Sequence, residues 1–171
     1  MKITIIGLVL AGVAVGGLLL GADGGGATRP AEEQDIAKNP AALVSPSTKV
    51  NDVNVFGVKL GDPVDKIPSN AGVTQMGVPE RPQDAIYTGR NVSYFACDGK
   101  IYRIKVHGDL AKHLPTYDAA RLQMALGKAD EVIEGRNGED TRLTYFGRRL
   151  QFTVHAFRAL AVITEVDLYA P

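Results

Sequence analysis

Residues 91–107 read NVSYFACDGKIYRIKVH, and this stretch decides the fold. Apolar and polar side chains alternate through Asn91–Ala96, which is typical of a half-buried strand. Asp98-Gly99 is a characteristic two-residue hairpin turn, and the chain returns through Ile101–His107 with the same alternation. The returning strand therefore has a predicted core face (Tyr102, Ile104 and Val106) and a predicted polar face (Arg103, Lys105 and His107).

The flanking sequence predicts two helices and five further strands. Asp62 is a suitable N-cap with Pro63 at the first helical position, and Pro68 ends that short helix. A second helix is predicted over Thr116–Leu126, capped by Thr116 and ended by Gly127. A Pro- and Gly-rich connection is predicted over Asn70–Asp84, and strands at Asn54–Leu60, Glu131–Glu134, Arg142–Phe146, Leu150–His155 and Leu160–Leu168.

The order helix, strand, strand occurs twice along the chain. The last strand of the first half reads Ile101-x-x-Ile104-x-Val106, and that of the second half reads Ile163-x-x-Val166-x-Leu168. We therefore predict an α+β fold, in which two helix–strand–strand repeats form an antiparallel sheet with the helices on one face. Chance similarity between two hairpins is the alternative explanation.

Three pieces of the sequence carry a resemblance to a known family. They are Val58-Lys-Leu-Gly61 running into a short helix, Leu126-Gly127 closing the next helix, and the Ile-x-x-Ile-x-Val last strands. Over residues 55–168 this pattern resembles the small two-layer domains of the outer-membrane assembly lipoprotein E family and of β-lactamase inhibitor protein. The lipid-attachment cysteine of those lipoproteins is absent here. The resemblance implies a domain that binds other proteins and is not an enzyme.

Composition limits the classes of function. The chain has 171 residues with 19 basic and 19 acidic side chains, so its formal net charge is zero. A neutral chain does not favour electrostatic binding of nucleic acid. Cys97 is the single cysteine, so no disulfide forms within the chain and a small exported domain must be stabilised by its hydrophobic core.

An uncharged segment, Ile3–Ala22, precedes the domain. As a helix it would be about 30 Å long, which is the thickness of a bilayer core. Lys2 comes before it and mostly acidic residues follow it, which predicts a cytoplasmic N-terminus and an exported body. Both a retained transmembrane helix and a cleaved signal helix fit this pattern.

Glycines recur within that segment at a spacing that suits helix packing. Residues four apart lie on one helix face, and glycine lets a second helix approach closely. Residues 1–22 are thus assigned to the membrane anchor or signal segment, 23–50 to a flexible tether rich in Gly, Ala and Pro, and 51–171 to the α+β domain. The predicted helix-packing residues are Gly12, Gly16, Gly17 and Gly21.

No catalytic, cofactor or metal site is predicted. His107 and His113 are not spaced as a compact ligand pair, and His107 and His155 fall on the polar faces of their strands. Cys97 precedes Asp98, whose carboxylate would raise the pKa of the thiol. We expect solvated histidines and a structural cysteine.

The polar face of the sheet is the remaining candidate site. A charge-mixed face is either simply solvated or a docking surface, and aromatic side chains among charges are typical of interfaces. The leading hypothesis is a membrane-anchored, single-pass accessory subunit of the bacterial inner membrane, whose periplasmic domain docks on a larger membrane protein complex. The alternative is a cleaved, soluble periplasmic protein-binding or inhibitor module. The candidate interface residues are Arg103, Lys105, His107, Arg142, Phe146, Gln151, His155 and Phe157.

Overall fold

The computed structural model describes residues 34–78, 81, 83–135, 138–157 and 160–170, with only the backbone described at 157. Two α-helices are present in this part of the chain, α1 (Gly108–Lys112) and α2 (Ala119–Leu126). Single 3₁₀ turns connect several elements. The strands are β1 (Gln34–Asp35), β2 (Val53–Asn54), β3 (Thr74–Gly77), β4 (Asp84–Thr88), β5 (Val92–Cys97), β6 (Lys100–Val106), β7 (Glu131–Glu134), β8 (Asp140–Tyr145), β9 (Leu150–Phe157) and β10 (Leu160–Tyr169).

Eight strands form one antiparallel sheet in the order β3-β4-β5-β6-β10-β9-β8-β7. Each half of the chain supplies four consecutive strands that run up and down beside one another. The two halves join where β6 pairs with β10, with Val106 opposite Val166 and Ile104 opposite Leu168. The predicted α+β class with an antiparallel sheet is confirmed.

The details of the predicted repeat differ from the structure. The connection predicted over 70–84 contains β3 and the start of β4, because β4 pairs with β5 and β3 pairs with β4 despite the Gly and Pro content. The predicted strand at Asn54–Leu60 is only two residues long as β2, since Phe56 and Gly57 take positive φ values and reverse the chain. Each half therefore contributes four strands, not two.

The two predicted helices are also shorter. Val64–Lys66 forms one 3₁₀ turn, and the Asp62 carboxylate accepts the Lys59 N–H at 2.9 Å instead of capping a helix. Helix α2 begins at Ala119, because Asp118 rather than Thr116 is the N-cap and its carboxylate accepts the Arg121 N–H at 2.7 Å. A charged carboxylate is the stronger acceptor at this position.

Two β-bulges change which side chains reach the core. In β6, Arg103 pairs with Phe95 but Ile101 pairs with Ala96, so Tyr102 is an extra residue. Tyr102, predicted in the core, is therefore 40% exposed, whereas Ile101 is buried. A second irregularity between Ile163 and Glu165 of β10 buries Ile163 in the same way.

The hydrophobic core lies between one face of the sheet and the helical layer. Leu110 of α1 and Leu122 of α2 belong to the same buried cluster as Phe152 of β9. Tyr94 is fully buried in this cluster, and its hydroxyl donates to the Val55 carbonyl at 2.9 Å. The opposite face of the sheet is left open by the described helices.

Residues 34–50 are part of the domain. The sequence predicted a flexible tether here, but Ile36 and Leu43 are fully buried in the core and β1 pairs in parallel with β2. The β8–β9 turn binds this segment through the Arg148 side chain, which donates to the Pro46 carbonyl at 2.9 Å. The Arg149 side chain donates to the amide oxygen of Asn51, the residue just after the segment, at 2.7 Å. We call 34–50 the strap. The rest of the predicted tether lies outside the described residues.

The predicted anchor and its four glycines, Gly12, Gly16, Gly17 and Gly21, also lie outside the described residues. Among the helices of the described part, none has the length and apolar character needed to cross a bilayer.

The burial of the strap gives a direct test of its role. Replacing the fully buried Leu43 by alanine should lower the free energy of unfolding by about 2–5 kcal/mol, because it removes core contacts and leaves a cavity. Urea unfolding followed by circular dichroism measures this change. The control is Met124→Ala on α2, which is 85% exposed and should change stability by less than about 0.5 kcal/mol. Equal stabilities of the two variants would mean that the strap is a tether.

Candidate functional site

The open face of the sheet holds a shallow groove of about 400 Å³ across the junction of the two halves. The side chains point into it because alternate residues of β6, β8, β9 and β10 face away from the core. Its lining is polar and carries both signs of charge. The lining residues are Arg103, Lys105, Arg142, Gln151, Thr153, Glu165, Asp167 and Tyr169.

Arg103 is fixed at the centre of this groove. Its Nε donates to Asp167 Oδ1 at 2.9 Å, and the Asp167 side chain is only 4% exposed. The guanidinium also lies 4.8 Å from the centre of the Phe95 ring, which is within the range of a cation–π contact. The hydrogen bond to Asp167 raises the pKa of Arg103 above its ordinary value. The ion pair and the ring contact together hold the guanidinium in place.

Lys105 forms a second ion pair across the same junction. Its Nζ donates to Glu165 Oε2 at 2.8 Å, with both side chains partly exposed. Pairs of this kind contribute only about 0–1 kcal/mol to stability. Their main effect here is to order four charged side chains on one surface.

Arg142 differs from these paired cations. It lies on β8 opposite Thr153, it is exposed, and no partner is found for its guanidinium among the described residues. Gln151 lies beside it on β9 and donates to Thr144 Oγ1 at 2.9 Å. The groove therefore offers an accessible guanidinium next to a fixed set of ion pairs.

His107 lies on the same face, just past the end of β6. Its Nε2 is 3.0 Å from Ser93 Oγ, which in turn is 2.8 Å from Thr88 Oγ1. Burial lowers the pKa of His107, although the Glu165 carboxylate opposes this effect. At neutral pH the ring is uncharged and belongs to a polar chain that joins β4, β5 and β6.

The other predicted interface residues are more scattered. His155 lies on the polar face toward the far end of β9, where its Nδ1 is 2.7 Å from Asp140 Oδ1. Phe146 is 58% exposed but lies in the β8–β9 turn, outside the groove. Phe157 is the last residue of β9, and its side chain lies outside the described part.

An apolar area next to the groove was not predicted. Strand pairing puts Met76, Ile86 and Phe95 in one row that leads to Arg103. Met76 is 48% exposed, and the bulged Tyr102 packs against Phe95 with ring centres 6.5 Å apart. The alternation of β5 could have placed Phe95 on this face, because Val92, Tyr94 and Ala96 all point to the core.

The described side chains do not assemble a metal site, since no three His, Cys, Asp or Glu groups converge within those ranges. Cys97 lies near two carboxylates. The Asp84 carboxyl, through a hydrogen bond, is the main cause of a raised pKa of this thiol, and Asp98 adds to it. A raised pKa disfavours the thiolate that a nucleophilic cysteine needs.

Comparison with known proteins does not assign a family or a function to this site. No protein-family model matches the chain, and no curated protein matches it. A solved structure, that of the DUF4309 family protein YjgB from Bacillus subtilis subsp. subtilis str. 168, shows 16% identity and a TM-score of 0.45, over 80% of this chain and 96% of that one. This similarity is too low to support a conclusion about fold or function.

The lowered pKa of His107 predicts a pH dependence of stability. The unfolded chain has a histidine pKa near 6.5, so it takes up a proton before the folded protein does. The free energy of unfolding should therefore fall as pH is lowered from about 6.5 through the lower pKa of folded His107. Urea unfolding at several pH values between 7 and 5 measures this slope, and His107→Gln should reduce it.

Charged neighbours of His107 bear on the same measurement. Lys105, Glu165 and Asp167 all act on its ring, so the comparison must keep them unchanged. His113→Gln, at an exposed position after α1, is the matched control. An equal reduction in slope for the two variants would contradict the assignment to His107.

Proposed function

We propose that this chain is a non-catalytic, membrane-anchored accessory subunit whose exported domain docks on a larger membrane protein complex and helps to assemble or stabilise it. The docking surface is the groove face, with Arg142 as its accessible cation. The single observation that carries this proposal is the ordered set of charges at the β6–β10 junction, where Arg103 and Lys105 are both paired.

Ordered charges favour docking for an entropic reason. Immobilising a long side chain at an interface costs about 0.5–1.5 kcal/mol, and much of that cost has already been met for a side chain held in an ion pair. Arg103 and Lys105 are held in this way before any partner arrives. The alternating signs then select a partner with the complementary pattern.

The surroundings of the charges also suit an interface. Interface centres are enriched in aromatic residues, Met and Arg. Here Phe95, Tyr102 and Met76 adjoin Arg103 on the open face, and two of the three are at least 40% exposed. An apolar area beside a fixed charge pattern gives a partner both affinity and register. The resemblance to protein-binding two-layer domains supports the same proposal.

The proposed location rests on the sequence. The apolar run 3–22, preceded by Lys2, supports a single-pass protein of the bacterial inner membrane with its N-terminus in the cytoplasm and its domain in the periplasm. In the alternative, the segment is cleaved and the domain is a soluble periplasmic protein-binding or inhibitor module. The same groove face would serve either form.

Reversing the accessible charge tests the docking face. Arg142→Glu should reduce the co-purification of partner subunits from native membranes in mild detergent by about tenfold, because it places a like charge where the partner presents an acidic group. Quantitative mass spectrometry of the purified sample measures this loss. Arg121→Glu, at an exposed position on α2, is the control and should leave the partner yield unchanged.

Loss of the partner in both variants, or in neither, would contradict the proposed face. The unfolding midpoint of each variant should also be measured, and both should match the wild-type value because the two arginines are exposed.

An intact-mass measurement distinguishes the two forms of the proposal. We expect the full 171-residue chain to be recovered from the membrane fraction together with subunits of a larger complex. A chain shortened by about 22 to 27 residues and found alone in the soluble fraction would overturn the anchored subunit and support the free periplasmic module.

A further inference from the structure

Within the described residues, strand β7 forms one open edge of the eight-stranded sheet, and all four of its residues are exposed. The Gly135 N–H donates to the Asp140 carbonyl at 2.7 Å, and alternate residues along β7 bond to β8 in the same way. Val132 and Glu134 therefore direct their N–H and C=O groups away from the sheet. An unpaired edge of this kind is a template for an added strand.

The side chains of this edge are apolar in the middle on both faces. Val132 points to the side of the helical layer and Ile133 to the side of the groove, because Val132 pairs with the buried Leu143 and Ile133 with Arg142. They are 47% and 45% exposed at this edge of the sheet. A strand added here would bury apolar surface on both faces at once.

Charge limits which strand can be added. Glu131 and Glu134 flank the apolar pair, and acidic residues outnumber basic ones by five to three over the sequence 128–142. A second copy of the chain is a poor occupant. Antiparallel pairing of two copies must place the outward-facing Val132 opposite Val132 or Glu134 of the other copy. In neither register does a basic residue lie opposite Glu131 or Glu134, so two acidic edges would meet without a neutralising partner. The charged residues of this stretch are Lys128, Asp130, Glu131, Glu134, Arg136, Glu139, Asp140 and Arg142.

We propose that β7 binds an extended segment of another protein in which two β-branched residues are flanked by lysine or arginine. The partner's main chain would pair with the free groups of Val132 and Glu134. Its two basic residues would lie opposite Glu131 and Glu134, and its apolar residues opposite Val132 and Ile133. This site is independent of the ion pairs of the groove, although it adjoins the groove at Arg142, which lies opposite Ile133 on β8.

The opposite edge of the sheet serves as an internal comparison. Strand β3 is also fully exposed, but its sequence, Thr74-Gln-Met-Gly77, carries no charge. Among the described residues, the outer backbone groups of β3 are as accessible as those of β7, but no glutamate lies at either end of the strand. Selective binding of a basic strand must therefore depend on Glu131 and Glu134, and not on the presence of an open edge alone.

The test uses the full chain in a non-ionic detergent with two labelled peptides, acetyl-TKVIKT-amide and acetyl-TEVIET-amide. Fluorescence anisotropy should show that the lysine peptide binds about tenfold more tightly, because two cross-strand pairs change from repulsive to attractive. The difference should shrink at high salt. The double variant E131K/E134K should reverse the preference, and the exposed positions of both residues let the fold survive.

Further controls separate strand addition from a simple charge effect. A lysine peptide with N-methyl groups on its two central residues should lose at least about tenfold in affinity, because it cannot complete the main-chain pairing. Equal affinities for the two peptides, an unchanged preference in E131K/E134K, or full binding of the methylated peptide would each overturn the proposal. So would self-association of the wild-type chain that E131K/E134K abolishes, since this would make the second copy the occupant.

The result is distinguishable from that of the docking face. E131K/E134K should leave co-purification through the groove unchanged, because neither glutamate lines it. Arg142→Glu should keep the preference for the lysine peptide, because it adds a negative charge beside Ile133 and leaves Glu131 and Glu134 in place. If one variant lost both the co-purified partner and the preference for the lysine peptide, the groove and the β7 edge would form one interface. That result would contradict their independence.

Discussion

The pairing of β6 with β10 is the contact on which the rest of the domain depends. It joins two four-stranded halves into one sheet, and it brings together residues about 60 positions apart in the chain. On the core side it aligns Ile104 with Leu168. On the open side it places Arg103 and Lys105 beside Asp167 and Glu165. The core and the charged groove are thus two consequences of a single register.

The sequence predicted this arrangement in part through the spacing i, i+3, i+5 of apolar residues. A regular strand would give i, i+2, i+4, so the longer first step requires one extra residue. Ile101, Ile104 and Val106 are all buried, as are their counterparts Ile163, Val166 and Leu168. The spacing therefore encodes a bulge in each half, although simple alternation placed Tyr102 in the core.

The alternation of polar and apolar residues predicted the residues of the candidate site wherever the strands are regular. Arg103, Lys105, Arg142 and Gln151 were predicted on the polar face, and all four line the groove. The strap was not predicted, because a short apolar stretch without a period is recognised only once its packing partners are known. Strands β3 and β4 were missed for a similar reason, since β4 is positioned by its pairing with β5 and β3 by its pairing with β4, and not by local sequence.

The position of the strap in the chain also limits when it can fold. Its 3₁₀ turn at Pro40–Val44 packs against α2, about 75 residues further along the chain. Synthesis proceeds from the N-terminus, so Leu43 and Val44 emerge long before the surface that buries them exists. Until α2 appears, this apolar stretch stays accessible to chaperones and to misfolding encounters. Closure of the strap over the core can therefore follow, but not precede, the synthesis of α2.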